Sequence, residues 1–326
     1  MPFSRRHFLQ AAGAGAAVWV PSPVKGYTAT ELTRRVEESG AAISELGVSM
    51  WDLDTPALIV DLDLLEANIS MMQRTVGRNG IATRPHAKTH KTPEVARIQL
   101  ETGSVGICVA KVSEAHALFR HGIEPLLMTT SNVTPAKINR AMHLRKWCDQ
   151  FIQATDTPEN ARLLAEAAES LGVVADVVVD VDPGGHRTGI TPGQPALELA
   201  QLVDQLPSLR LRGMLCYDGG SQHVTGFKKR ETQTLERLLP AAETFEQFQR
   251  AGLNTEIFSG GGTGTYNIDH QTPGLTDVQV GSYVFMDAQY MGIGGANNAE
   301  AYSDFKPSLT ILTTVLNAQY TGRATT

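Results

Sequence analysis

FIQATDTPENARLLAEAAESLGVVADVVVDV, residues 151–181, decides the fold. It opens on a short apolar run, Phe151–Ala154. An amphipathic stretch follows from Thr157 to Gly172, and a β-branched run, Ala175–Val181, closes it. Strand, helix and strand joined by short turns make a right-handed crossover between two parallel strands. The same unit repeats outward in both directions. Strand-like runs precede it at Ala57–Asp61, Ile81–Arg84, Val105–Val109 and Pro125–Thr129. Others follow at Leu211–Cys216, Glu256–Ser259 and Val278–Val280. The helical stretches between them are Leu62–Val76, Thr92–Thr102, Ser113–His121, Thr134–Arg145, Pro195–Leu206 and Thr225–Ala251. About eight such units favour a closed (β/α)8 barrel over an open doubly wound sheet. One strand is then surplus and can belong to another domain.

The pattern changes after Gly281. Met291–Asn298 is rich in Gly and Asn, and Pro307–Tyr320 is a β-rich run with no helix after it. This reads as the start of a β domain that does not close. A single strand cannot bury its own face, so this run either pairs with Ala57–Asp61 or lacks its partners. The beginning of the chain is different again. MPFSRRHFLQ precedes an apolar run from Ala11 to Val20, the pattern of an export signal. The Arg5–Arg6 pair resembles a twin-arginine signal, which implies a periplasmic or exported protein. The expected organisation is signal and linker over 1–29, a helical segment over 30–50, the barrel over 51–285 and an incomplete β domain over 286–326.

Composition removes several classes. With 326 residues, 42% hydrophobic, the chain can bury a large core. A net charge of −6 and 6% aromatic residues give no basis for nucleic-acid or anionic-membrane binding. The three cysteines, Cys108, Cys148 and Cys216, make no disulfide framework and read as small buried hydrophobes.

Reactive residues of such barrels collect where strands turn toward helices. Ile81–Arg84 runs on into RPHAKTHK (84–91). Arg84, His86 and Lys88 are spaced by two, so an extended chain points all three into the barrel mouth. A lysine there is desolvated beside cations, and its pKa falls toward that of an imine-forming amine. A solvated loop of Lys88, His90 and Lys91 is the plainer reading of the same residues. Glu256–Ser259 runs into the glycine-rich turn SGGGTGT (259–265). Its backbone N–H groups can cradle a phosphate, or the glycines serve only a sharp turn. The turn has neither the P-loop lysine nor the dinucleotide spacing. Arg187 or His186, in DPGGHRTG (182–189), can donate to an acceptor in the mouth, and Tyr217 ends the next strand. A buried amine facing a phosphate loop across one mouth is the arrangement pyridoxal 5′-phosphate needs.

These stretches, with VGSYVFMD (280–287), resemble the D-threonine aldolase/D-serine dehydratase family from about Trp51 onward. The resemblance implies a fold-type III pyridoxal-phosphate enzyme with an alanine-racemase-type barrel. It implies that Lys88 forms the Schiff base and that Gly261, Gly262, Thr263 and Gly264 hold the phosphate. Arg187 is then the arginine facing the pyridine nitrogen, which stays unprotonated. Tyr217 is the active-site tyrosine, and His86 and Tyr283 stand close by. The implied substrate is a small D-β-hydroxy amino acid. Aldolase chemistry yields glycine and an aldehyde. Dehydratase chemistry yields pyruvate and ammonia. A racemase and a barrel that only carries the cofactor are further readings. Family members also use a divalent metal, Mn or Zn, held near the C-terminus by His-x-Asp or His-x-Cys. No such pattern follows Asp304, and His116, His121, His143 and His270 are scattered, so no ligand is assigned. The expectation is a chain short of its last strands, weak in turnover and, by analogy with the family, a homodimer.

Overall fold

The structure, a computed structural model, describes residues 27–40 and 46–326. The twin-arginine stretch lies outside these residues. The described residues up to Glu66, with Pro307–Thr326, form one compact unit, and Ala67–Lys306 form another.

In the first unit, helix α1 (Ala29–Ser39) starts on a capping box. The Thr28 hydroxyl accepts from the Glu31 amide, and the Glu31 carboxylate accepts from the Thr28 amide. The helix stops at Gly40, whose φ of +66° is left-handed. It is thus shorter than the expected segment. Strand β1 (Ala57–Val60) pairs antiparallel with β10 (Leu309–Leu312), Ala57 opposite Leu312. The surplus strand therefore meets the late β-rich run. That run is broken: β11 (Asn317–Tyr320) pairs with β12 (Arg323–Thr325) in a sheet of its own.

The second unit is the barrel. Its eight parallel strands stand in the order β2-β9-β8-β7-β6-β5-β4-β3. They are β2 (Ala82–Thr83), β3 (Ile107–Val109), β4 (Leu126–Met128), β5 (Phe151–Thr155), β6 (Ala175–Asp180), β7 (Leu209–Cys216), β8 (Ile257–Gly260) and β9 (Asp277–Val278). The two ends of the sheet meet. The Val105 amide donates to the Thr83 carbonyl at 2.9 Å and the Cys108 amide to that of Pro85 at 2.8 Å. Side chains fill the interior: Cys108, Leu127, Ile152, Val178, Leu215 and Ile257, one from each of β3–β8, are all buried. The all-buried pattern of β6 follows from cover on both faces. All three cysteines are buried and free.

Helices alternate with the strands: α2 (Leu62–Arg78), α3 (Pro93–Glu101), α4 (Val112–Arg120), α5 (Pro135–Trp147), α6 (Pro158–Ser170), α7 (Gln194–Gln205) and α8 (Phe227–Arg250). Proline at the first turn of α3, α5 and α6 presets φ where no amide partner is needed. Among the described residues no helix is long and apolar enough to cross a membrane.

The barrel unit runs past residue 285 to Lys306. The reason is packing against the glycine turn. The Tyr302 hydroxyl donates to the Thr263 carbonyl. The Tyr266 hydroxyl donates to Asp304 at 3.0 Å.

β7 carries one extra residue opposite Val177 and Val178, and its register shifts there. Gly213 absorbs the irregularity at φ +124°, with the Ile257 carbonyl oxygen 2.0 Å from where a Cβ would stand. Gly213→Ala is expected to lower stability by about 3 kcal/mol, the upper range for overpacking. Urea unfolding measures it.

Candidate active site

The carboxyl ends of the strands enclose a cavity of about 590 Å³. Lys88 and His86 reach it after β2, Thr129 after β4, Asp180 and Arg187 at and after β6, and Tyr217 after β7. The glycine turn 261–264 is not part of its wall.

The segment 84–91 departs from the expected extended run. Arg84 turns into the barrel, where Asp277 holds it with two bonds of 3.1 and 3.2 Å. His86 is the last extended residue, bridged to Cys108. A turn then begins, with the Lys91 amide donating to the Ala87 carbonyl at 2.7 Å. Lys88 therefore enters the mouth from a turn and not from a strand. Lys91, at φ +50°, swings away and pairs with Glu114 at 3.3 Å.

Solvent reaches Lys88 through the open mouth, yet the surrounding walls desolvate its amine. Burial lowers its pKa, and the Arg187 charge adds to the shift. Both cations stand near the Tyr217 ring, with Lys88 Nζ and Arg187 Cζ each 5.2 Å from its centre. His86 is buried. Burial, then the Lys88 charge, keeps its pKa well below the usual value and the ring neutral. The Lys88 amide donates to its Nδ1 at 3.3 Å. Nε2 therefore carries the proton and donates to the Thr129 hydroxyl at 3.1 Å, which itself donates to the Val109 carbonyl.

The sign of the lysine shift gives a prediction. A lowered pKa means that the reactive, uncharged amine persists to lower pH. Imine formation with pyridoxal phosphate, followed against pH, should have its midpoint below the ordinary lysine value of 10.5. Arg187→Ala should move that midpoint back up.

The glycine turn is held largely by its own neighbours. The Gly264 amide donates to Gln222 Oε1 at 2.9 Å, and that of Gly262 to the Thr265 hydroxyl at 3.2 Å. A Cβ on Gly262 would stand 2.6 Å from Gln222 Oε1, and one on Gly264 2.0 Å from the Gln222 carbonyl oxygen. These two glycines are needed for the turn's own packing. The amides of Gly261 and Thr263 meet no acceptor among the described residues, and they are the donors that remain. Buried Asp269 backs the turn, with its pKa pushed up to about 8 by burial. The fully buried Arg230 clamps the turn from outside, donating to the carbonyls of Gly264, Val224 and Gly294.

Other candidates stand apart. Arg187 is exposed at the rim of the cavity. His186 faces solvent and pairs with Asp182 at 3.0 Å. Tyr283 is enclosed away from the cavity, its hydroxyl accepting from Gln99 at 3.0 Å. Sequence reasoning passed over Asp180, Asp218, Arg237 and Gln279, which line the same cavity. Only Asp180 had a signal, as a charged residue closing the most apolar strand. Among the described residues, no group of three or more His, Cys, Asp or Glu side chains can hold a metal ion. The donor set for a metal is not present in them.

A parallel (β/α)8 barrel with a desolvated lysine at its carboxyl mouth fits an enzyme that works through an amine and a carbonyl group. The alanine racemase N-terminal domain model matches residues 60–289, and the chain belongs to that family. It is 34% identical over 273 residues to a 3-hydroxy-D-aspartate aldolase of Paracoccus denitrificans, covering 83% of this chain and 70% of the relative. It is 35% identical over 265 residues to a D-threonine aldolase of an Arthrobacter species, covering 81% and 69%. The crystal structure of a D-threonine aldolase from Filomicrobium marinum superposes with a TM-score of 0.80 at 33% identity, covering 84% of this chain and 73% of that one. The chain is a pyridoxal-phosphate-dependent lyase of fold type III, within the group that acts on D-hydroxy amino acids.

The residues fit this cofactor on two observations. Lys88 offers an amine biased toward its uncharged form. Gly261 and Thr263 offer amides without an acceptor, the donor type a phosphate takes.

Proposed function

We propose that the chain cleaves D-β-hydroxy amino acids by a retro-aldol reaction, giving glycine and an aldehyde. The observation that carries the reading is Lys88, desolvated beside Tyr217 and Arg187 in a barrel of this family. Lys88 would bind the cofactor aldehyde, and Gly261 and Thr263, with Gly262 and Gly264 shaping the turn, would hold its phosphate. Once bound, the cofactor supplies an electron sink for the bond broken at the substrate Cα. Tyr217 orders the amine against its ring. Neutral His86 fixes the turn that carries Lys88, through its Nδ1 and its Thr129 bond. Arg187, swinging from the rim, would sit at the cofactor's ring nitrogen and keep it free of a proton. Tyr283 supports the turn from behind, its amide donating to the Thr263 hydroxyl at 3.1 Å.

The choice of aldolase follows the identity of the relatives, 34–35% for the two aldolases against 30% for a D-threo-3-hydroxyaspartate dehydratase of a Delftia strain. That relative makes D-β-hydroxy amino acid dehydration the second reading. Incubation with D-threonine, D-3-hydroxyaspartate and D-serine separates them. Glycine with an aldehyde is expected, whereas a keto acid with ammonia would transfer the chain to the dehydratases. A homodimer and export by the twin-arginine route belong to the same proposal. Solution mass tests the first. Fractionation of producing cells tests the second.

A further inference from the structure

Three acids line the cavity among the described residues: Asp180, Asp182 and Asp218. Two are saturated by the protein. Asp182 Oδ1 accepts from the amides of Gly184, Gly185 and His186 at 2.9–3.1 Å, and its Oδ2 accepts from His186. Asp218 accepts from the Gly220 amide, the Ser221 hydroxyl and Arg237. Asp180 differs. It is 3% exposed, and its Oδ2 is buried without a hydrogen-bond partner. A buried acceptor left bare is costly, and its presence in a cavity wall points to a ligand that supplies the donor.

The position of Asp180 narrows that donor. Lys88 feels the charges of Arg187, Cys108 and Glu114. Asp180 feels Thr188, Asp156, Arg187 and Asp182, so Arg187 is the neighbour that the two groups share. Burial pushes its carboxyl up to about 7, with Thr188 and Arg187 pulling against that shift and Asp156 and Asp182 adding to it. A β-hydroxy amino acid has two donor groups. The amine would be taken by the cofactor carbonyl that Lys88 holds, and the carboxylate has no proton to give. The hydroxyl is the donor that remains.

We propose that Asp180 Oδ2 accepts the hydrogen bond of the substrate hydroxyl, and that this contact makes the site select hydroxylated D-amino acids. The proposal rests on the lyase reading above. An amino acid lacking the hydroxyl leaves the buried carboxyl unpaired and is rejected for that reason. Asp180 acts here as a specificity residue that touches substrate.

The test uses the full chain loaded with pyridoxal phosphate, as wild type, Asp180→Ala and Asp180→Asn. Cofactor absorbance reports loading in each. D-Threonine is compared with D-2-aminobutyrate, the same skeleton without the hydroxyl, whose inhibition constant is a binding readout. At pH 8, above the value of about 7 to which burial pushes the carboxyl, Asp180→Ala should lower kcat/KM for D-threonine by about 10–100-fold, the range for a hydrogen bond to a charged group. It should not weaken D-2-aminobutyrate and should tighten its inhibition constant, because no carboxyl is then left unpaired, with Asp180→Asn falling between. Equal losses for both ligands, or no loss for D-threonine, would overturn the proposal while leaving the lyase reading intact. Absence of any borohydride-reducible adduct on wild-type Lys88 would instead remove the lyase reading, and this proposal with it.

Discussion

Lys88→Ala is expected to abolish the borohydride-stable pyridoxal-phosphate adduct and to lower turnover by at least about 10²–10⁴-fold. That range is the scale for losing a positioned proton-transfer group alone, and the covalent link is lost as well. The control is Lys91→Ala. Lys91 is three residues on, equally basic, and expected to keep the adduct, because it points away and pairs with Glu114. Peptide mass mapping of the reduced protein reads both variants. An adduct on Lys91 would mean that the turn after His86 runs in another register. The stability of Lys88→Ala should hardly change, since the side chain is solvent-reached and makes no buried bond that others depend on.

Asp277→Ala is expected to cost about 3–5 kcal/mol of stability, because it strands the Arg84 guanidinium inside the barrel. Asp277 is 1% exposed and Arg84 6%, so water cannot take over the lost contacts. Burial disfavours the arginine's charge, and the Asp277 carboxylate more than compensates. Asp277 also accepts from the hydroxyls of Ser259 and Thr276. The pair ties β2 to β9 just below the turn that presents Lys88. Urea unfolding measures the loss. The double variant Arg84→Met with Asp277→Leu should recover most of it, since a matched apolar pair has no stranded charge. A double variant as unstable as Asp277→Ala would show that the hydroxyl contacts matter more than the charge.

Much of the barrel is legible in the sequence. The strands and helices follow from local pattern, because a parallel strand covered on both faces must be apolar and its crossover helix must be amphipathic. The Phe151–Val181 unit carries both signals within one short stretch. Lys88, His86 and Tyr217 were legible for a related reason: in this architecture the chain after each strand must arrive at one mouth. The glycine turn was only half legible. Glycines mark close approach of backbone to something, and pattern alone does not say to what. Here Gly262 and Gly264 approach Gln222, a residue some forty positions earlier in the chain.

The order of elements, the closed parallel barrel and the lysine that enters its mouth can be read from the chain alone. Each depends on residues close together in it, where periodicity and turn chemistry act. Which polar groups are satisfied is settled only in the folded molecule. Arg84 was expected beside His86 and Lys88, and Asp277 draws it inward instead. Tyr283 was expected at the cofactor, and Gln99 takes its hydroxyl. Among the described residues that line the cavity, only Asp180 keeps a buried side-chain oxygen without a partner. Hydrogen-bond satisfaction in a low-dielectric interior is set by partners distant in sequence. No local pattern encodes them, and the closing of the barrel brings them together.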